Sequence, residues 1–170
     1  MLFIAKTIDR VQKGDYVIVI SESDGYARIR TVNGKLGYIK SNKIANTVTV
    51  RQNIEKEIYN SAIETIINNK LFNNRVIVVA GEGWHEGVLG IAAAKIAEVF
   101  SKPTILLSRN GLDLPFKGSA RSVGNFKLFD AIKGCSELLI KFGGHDKAAG
   151  LTVEAANLDA FCNKINENAI

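Results

Sequence analysis

Three short stretches of this 170-residue chain carry the side chains that could do chemistry. The first is KFGGHDKAAG, which frames His145, one of only two histidines, with glycine and alanine. Gly143, Gly144 and Gly150 put no side chain in the way, so a bulky partner can approach the backbone. His145 can then donate to an anionic oxygen or stand beside a metal-activated water. Asp146 and Lys147 are read as solvent-facing. The second stretch is FKGSARSVG, where Lys117, Ser119, Arg121 and Ser122 bring two cations and two hydroxyls together. Phosphate recognition uses this mixture, a guanidinium for bidentate pairing with small donors beside it. Gly118 and Ala120 keep the approach open, and the competing reading is an exposed polar loop. The third is GEGWHEGVLG, read as a loop between a strand and a helix, with Gly81, Gly83, Gly87 and Gly90 permitting tight turns. Loops at the C-terminal ends of parallel strands are the usual ligand position, and the following helix can hold an anion on its free N–H groups. Trp84 reads first as a core residue and second as a base-stacking platform. His85 reads first as a hydrogen-bonded structural residue and second as a catalyst.

The elements around these stretches fall into two regions. Residues 1–48 read as all-β. DYVIVI is a strand, SESDG a turn with Asp24-Gly25 at its tip, and YARIRTV an alternating strand with one buried face. Asn33-Gly34 signals a second hairpin, with LGYIKSNKI as the return strand. Short strands with tight turns suggest a small barrel. Residues 49–75 read as a connecting helix, with Ile54, Ile58, Ala62, Ile66 and Ile67 at helical spacing. Residues 76–170 read as an α/β domain, α+β over the whole chain, whose central, mainly parallel or mixed sheet is flanked by helices. VIVVAG is a buried strand, IAAAKIAEVF a helix stopped by Pro103, and TILLS a second buried strand. That is a strand–helix–strand unit of a parallel arrangement. KGSARSV is read as strand or loop, FKLFDAIKGCSELLIKF as one helix, GLTVE as a strand, and NLDAFCNKINENAI as a helix with Phe161 and Ile165 on one face.

Composition sets the bounds. The chain is 46% hydrophobic and carries a net charge of +5, enough core for one or two domains and a mild lean toward anionic partners. Residues 1–50 hold eight Lys or Arg against four acids, and residues 51–170 hold fourteen against thirteen, so an anion site in the second region must be local. No apolar run reaches the roughly 18 residues of a membrane helix, and the N-terminus is too short in its apolar part for a signal peptide. The expected location is the cytoplasm. Cys135 and Cys162 read as buried thiols, outside any metal-spaced cluster.

GEGWHEGVLG, then KGSARS, then LLIKFGGHDKAAGLT, in that order over residues 51–170, resemble the C-terminal DHHA1 domain of the RecJ single-strand-specific exonucleases. RQNIEKEIYNSAIE resembles the helix leading into it. The resemblance implies that the GGH motif, Gly143, Gly144 and His145, faces the metal centre of a partner DHH domain, with His145 as an auxiliary catalytic group beside the scissile phosphate. It implies that Lys117, Gly118, Ser119, Arg121 and Ser122 hold the phosphate, with Trp84 and His85 close to the DNA. The complete family enzyme uses Mn²⁺ or Mg²⁺, whose ligands lie in the DHH domain. This sequence has no DHH triplet and no readable cluster of hard ligands, so no metal site and no nuclease activity are expected of it alone. The stretch GDYVIVISESDGYARIRTVNGKLGYIKSNKI resembles a bacterial SH3-like domain, and the junction resembles a chimera. The expectation is a fragment that binds single-stranded DNA weakly. The alternatives are a folded scaffold without ligand affinity and a peptide or cell-wall binding module acting through Tyr16, Tyr26 and Tyr38. The short front of the barrel segment leaves an open edge that could pair two copies into a homodimer.

Overall fold

The structure, a computed structural model, describes residues 17–31, 36–40 and 47–169. The predicted features at Tyr16, Asn33 and Gly34 lie outside these residues. The chain divides into two compact units, Met1–Val50 and Arg51–Ile170.

The described part of the first unit is an antiparallel meander of β1 (Val17–Ser23), β2 (Tyr26–Thr31) and β3 (Leu36–Lys40). Asp24 and Gly25 both take positive φ, 53° and 76°, the backbone of a two-residue hairpin turn whose twist matches the strands. The alternation read in YARIRTV holds: Ala27 and Ile29 are buried, and Tyr26 and Arg28 are exposed.

The second unit begins within helix α1 (Thr47–Asn68) and continues with β4 (Ile77–Glu82), α2 (Glu86–Phe100), β5 (Thr104–Arg109), β6 (Phe116–Arg121), α3 (Leu128–Lys133), β7 (Leu139–His145), β8 (Ala148–Val153) and α4 (Leu158–Asn168). The sheet order is β4-β5-β6-β8-β7. Only β4 and β5 run parallel, joined through α2 as the strand–helix–strand pattern predicts, and the other three pairings are antiparallel. The sheet is therefore mixed, with helices on both faces. Ile77, Val79 and Leu106 meet Ile58, Ala62 and Ile66 of α1 and Val88, Leu89, Ala92, Ala93 and Ile96 of α2. On the other face, Val78, Ile105, Leu107, Phe116, Ala120, Leu151 and Val153 meet α3 and α4 through Leu128, Ile132, Phe161 and Ile165. Each such large side chain contributes about 1.5–3 kcal/mol by leaving water. Ile67, expected on the buried stripe of α1, is 56% exposed. The buried positions Ile58, Ala62 and Ile66 recur every fourth residue, and Ile67 stands about 100° round the helix from Ile66.

The structure corrects or sharpens four elements of the sequence reading. FKLFDAIKGCSELLIKF is not one helix. α3 ends at Lys133, a 3₁₀ turn spans Ser136–Leu138, and LLIKF enters β7. At Gly134 an added Cβ would stand 2.6 Å from the Asn168 side chain, so the α4 end packs onto the chain where α3 stops. Pairing with β8 then sets the strand, with Phe142 packed against the core and Lys141 exposed. Of the strand and loop readings of KGSARSV the strand holds: Phe116–Arg121 form β6, an interior strand bonded on both sides, whose Phe116 and Ala120 are buried. GGHDKAAG is a hairpin: Gly143 to His145 close β7, Asp146-Lys147 make the turn, and Ala148 opens β8. In GEGWHEGVLG the loop is short, because α2 already begins at Glu86.

Both cysteines are free thiols. Cys135 is buried, and burial pushes its thiol up. Cys162 is half-buried on α4, and burial, with Asp159 adding to it, pushes its thiol from 9.0 to about 11. A raised folded-state value means the fold favours the protonated thiol. That contribution is fully present below about pH 9 and is lost as the pH rises toward 11. Stability is therefore expected to fall over that window, and less so in Cys162→Ala. Denaturant midpoints of both proteins across the window measure the difference. Equal slopes would remove Cys162 as a cause.

Candidate functional site

The strand registers assemble the site. Along β6, Lys117, Ser119 and Arg121 alternate with the buried Phe116 and Ala120, so they share the face on which α2 packs. Lys117 pairs with Thr152 of β8 and Thr152 with Lys141 of β7. Ser119 pairs with Gly150 and Gly150 with Gly143. Arg121 pairs with Ala148 and Ala148 with His145. Three rows thus cross β6, β8 and β7 on one face.

Helix α2 lies over β5 and β6, while Lys141, Gly143 and His145 of β7 and Gly150 of β8 stand exposed on that side. The floor beyond α2 is made of glycine. Gly143 and Gly150 are both exposed; a Cβ at Gly143 would meet nothing within 4 Å, and one at Gly150 only the Gly118 carbonyl at 3.8 Å. The result is a shallow trough with α2 as its wall, Arg121 and Ser119 at the foot of the wall, and His145 and Lys141 on the outer strand.

Arg121 is held in place before any ligand arrives. Its Nη1 donates to Ser119 Oγ at 2.9 Å and to the Ala120 carbonyl at 2.8 Å. Its guanidinium lies so close to Gly90 of α2 that a Cβ there would stand 2.3 Å from Nη2 and 3.0 Å from Ser119 Oγ. Gly90 is therefore the helix position that makes room for the guanidinium. Lys117 Nζ lies 3.2 Å from the Glu86 carboxylate in the first turn of α2, with both side chains about half exposed.

The remaining candidate residues are placed as follows. His145 is exposed, and its Nδ1 accepts from the Lys147 N–H at 3.3 Å, a bond across the hairpin turn that does not engage Nε2. Ser122 Oγ donates to the Phe126 carbonyl at 2.7 Å, and its N–H donates to the Lys147 carbonyl at 3.0 Å. Ser122 thereby ties the end of β6 to the turn that carries the histidine. Lys147 Nζ also donates to the Gly124 carbonyl. Gly118 and Gly144 face away from the trough. A Cβ at Gly118 would stand 2.4 Å from Leu107 Cδ2 and 2.6 Å from the Leu106 carbonyl. Gly144, at φ 144°, would meet the Ala148 carbonyl at 2.3 Å. These two glycines serve strand packing. Trp84 lies over Gly81, where a Cβ would stand 2.3 Å from its ring, and it packs against the α1–α2 core cluster. His85 caps α2, its Nδ1 accepting from the Gly87 N–H at 3.1 Å.

Lys141 and Glu86 join the site although their chemistry did not mark them, and Gly150 and Gly90, read only as open or turn glycines, take defined places in it. The signal for Lys141, and for the row that Gly150 occupies, was the period of two in Lys141–Gly143–His145 and Ala148–Gly150–Thr152, which is legible only once the segments are strands. No group of three or more His, Cys, Asp or Glu side chains placed to hold a metal ion occurs among the described residues. The donors at the trough are cations, hydroxyls and one histidine. They suit an anion and do not fit Mn²⁺ or Mg²⁺, which need several oxygen ligands. No helix among the described residues is long and apolar enough to cross a membrane.

The model of the DHHA1 domain family matches residues 73–169. The chain is 38% identical over 119 residues to the single-stranded-DNA-specific exonuclease RecJ of Bacillus subtilis, covering 70% of this chain and 15% of that protein. To its Escherichia coli counterpart it is 39% identical over 88 residues, 49% of this chain and 15% of that protein. Among solved structures it is similar to RecJ from Thermus thermophilus in complex with Mg²⁺, with a TM-score of 0.58 and 27% identity, covering 71% of this chain and 18% of that one. It is also similar to an exonuclease RecJ bound to manganese, with a TM-score of 0.60 and 26% identity, covering 71% of this chain and 29% of that one. The chain thus spans about 15% of the length of these curated relatives.

Proposed function

The chain belongs to the DHHA1 domain family, in its RecJ-type form, and from that premise we propose that its second unit binds single-stranded DNA by the phosphate backbone. The observation that carries this reading is the row structure of the trough. Arg121, Ser119 and His145 stand around a floor, Gly143 and Gly150, that has no side chain. A sugar–phosphate backbone can lie against such a floor. The guanidinium supplies charge-assisted bonds, the hydroxyl a neutral one, and His145 a further donor from the outer strand. Ser122, Gly118 and Gly144 hold the strands that present these groups, and His85 and Trp84 hold the start of α2.

Hydrolysis is not assigned to these residues. The relatives named above are exonucleases, and two of their structures carry Mg²⁺ or manganese. The trough has no ligand set for either ion, and His145 acts on this reading only beside metal ligands supplied from elsewhere. The test is a fluorescence anisotropy titration of a 5′-phosphorylated single strand at two salt concentrations. Saturable binding that weakens with salt is the expected result. No binding at low salt would overturn the reading and leave a fold without its ligand.

The same reading keeps the division into 1–48, 49–75 and 76–170, an SH3-like first segment joined as in a chimera, pairing of two copies through its open edge, and a cytoplasmic setting. Exposed Tyr26 and Tyr38, 49% and 56% accessible, favour a second reading in which the first unit binds a peptide or cell-wall ligand. Binding that survives in a Tyr26→Ala, Tyr38→Ala double variant would remove it.

A further inference from the structure

The trough extends one row beyond the groups used so far. Lys117 and Lys141 stand on either side of Thr152, on β6 and β7. Both lysines are exposed, while Thr152 between them is buried. Neighbouring strands are about 4.8 Å apart, so the two lysine Cα atoms lie about 10 Å apart. Two four-carbon stems reaching up from that spacing can converge on one anion. Successive same-face residues on a strand are about 7 Å apart. The lysine row therefore lies one such step from the Ser119–Gly150–Gly143 row, toward which Arg121 leans through its bond to Ser119. That step is comparable to the repeat of one nucleotide in an extended single strand.

We infer that Lys117 and Lys141 form a second phosphate position, one nucleotide along from the Arg121–Ser119 position, and that Glu86 occupies Lys117 until DNA displaces it. The inference rests on the phosphate-binding reading above and adds to it a direction, from the His145 end of the trough toward the Lys141 end. Two observations favour it beyond charge alone. The exposed Gly143 and Gly150 link the two positions with a continuous floor that a backbone can follow. The Glu86 carboxylate already lies 3.2 Å from Lys117 Nζ, so an anionic oxygen can reach this lysine. A backbone phosphodiester carries the same single negative charge as the carboxylate but offers two charged oxygens that both lysines can share, and releasing Glu86 costs little because the pair is exposed.

The test uses the full chain and a labelled single strand of oligothymidylate, displaced by thymidine 5′-monophosphate or by the 5′-phosphorylated trinucleotide. Lys117→Ala and Lys141→Ala are each expected to lower the preference for the trinucleotide over the monophosphate about fivefold. Each should also reduce the salt slope of the labelled strand by about 0.7. Glu86→Gln should tighten the trinucleotide about threefold, and that gain should vanish in a Lys117→Ala background. A salt slope unchanged in both lysine variants would overturn the second position. So would an equal loss for monophosphate and trinucleotide. A gain from Glu86→Gln that persists without Lys117 would overturn the role of Glu86. If no strand binds, or if Arg121→Ala changes nothing, the phosphate-binding reading falls first and the second position falls with it.

Discussion

Arg121→Ala is expected to weaken binding of a 5′-phosphorylated single strand by at least about tenfold, more than any other single substitution in the trough. A hydrogen bond to a charged group is worth about 1.5–3 kcal/mol, which converts to roughly ten- to a hundredfold in affinity. The guanidinium should realise that value because it is already ordered. It is half-buried, bonded to Ser119 Oγ and the Ala120 carbonyl, and seated against Gly90. Little side-chain freedom remains to be lost on binding. Arg121→Lys should recover only part of the affinity, since an ammonium cannot form the paired bonds of a planar fork. Gly90→Ala provides an independent check from the opposite side. A methyl group 2.3 Å from Nη2 must displace the guanidinium without removing its charge. The end of a flexible side chain can move, so the fold should survive while affinity falls. Anisotropy titrations of the three variants at two salt concentrations decide the matter. Affinity equal to the parent in Arg121→Ala would move the phosphate away from this residue.

The second large effect separates two neighbouring glycines. Gly144→Ala is expected to destabilise the chain by about 3 kcal/mol, and Gly143→Ala to leave stability within about 0.5 kcal/mol. At Gly144 the backbone φ of 144° is one that side-chain-bearing residues rarely adopt, and the new Cβ would stand 2.3 Å from the Ala148 carbonyl and 2.5 Å from the Ala149 Cα. Both obstacles are backbone atoms of the paired strand, so relief requires β7 and β8 to part. At Gly143 a Cβ meets nothing within 4 Å. It would rise instead from the floor of the trough and hold a ligand backbone away from Arg121 and His145. The expected pattern is therefore crossed: Gly144→Ala lowers the denaturation midpoint, and Gly143→Ala lowers DNA affinity in a stable protein. Equal stability losses at the two positions would mean that Gly143 serves the hairpin and not the ligand.

The sequence by itself determined the local features. Runs of β-branched residues marked β4 and β5, and the apolar stretch between them marked α2, because a buried parallel pair needs no partner information beyond its own hydrophobicity. Phe161 and Ile165 marked the buried side of α4. The chemistry of Ser119, Arg121 and His145 was legible as residue types suited to an anion. Tertiary structure decided the rest, for one recurring reason. Strand pairing joins segments far apart in the chain, and local periodicity does not name a partner or a register. LLIKF is a plausible end to a helix until β8 pairs with it. GSARS is a plausible polar loop until hydrogen bonds on both sides make it an interior strand. Register then places Lys117 and Lys141 in one row with Thr152, and Arg121 and His145 in another with Ala148. The pleat gives adjacent glycines opposite tasks, Gly143 toward the open face and Gly144 against the paired strand. Gly90, read as a loop residue, belongs to a helix that passes close over Arg121. Sequence thus supplied the groups that can bind a phosphate, and the sheet supplied their spacing.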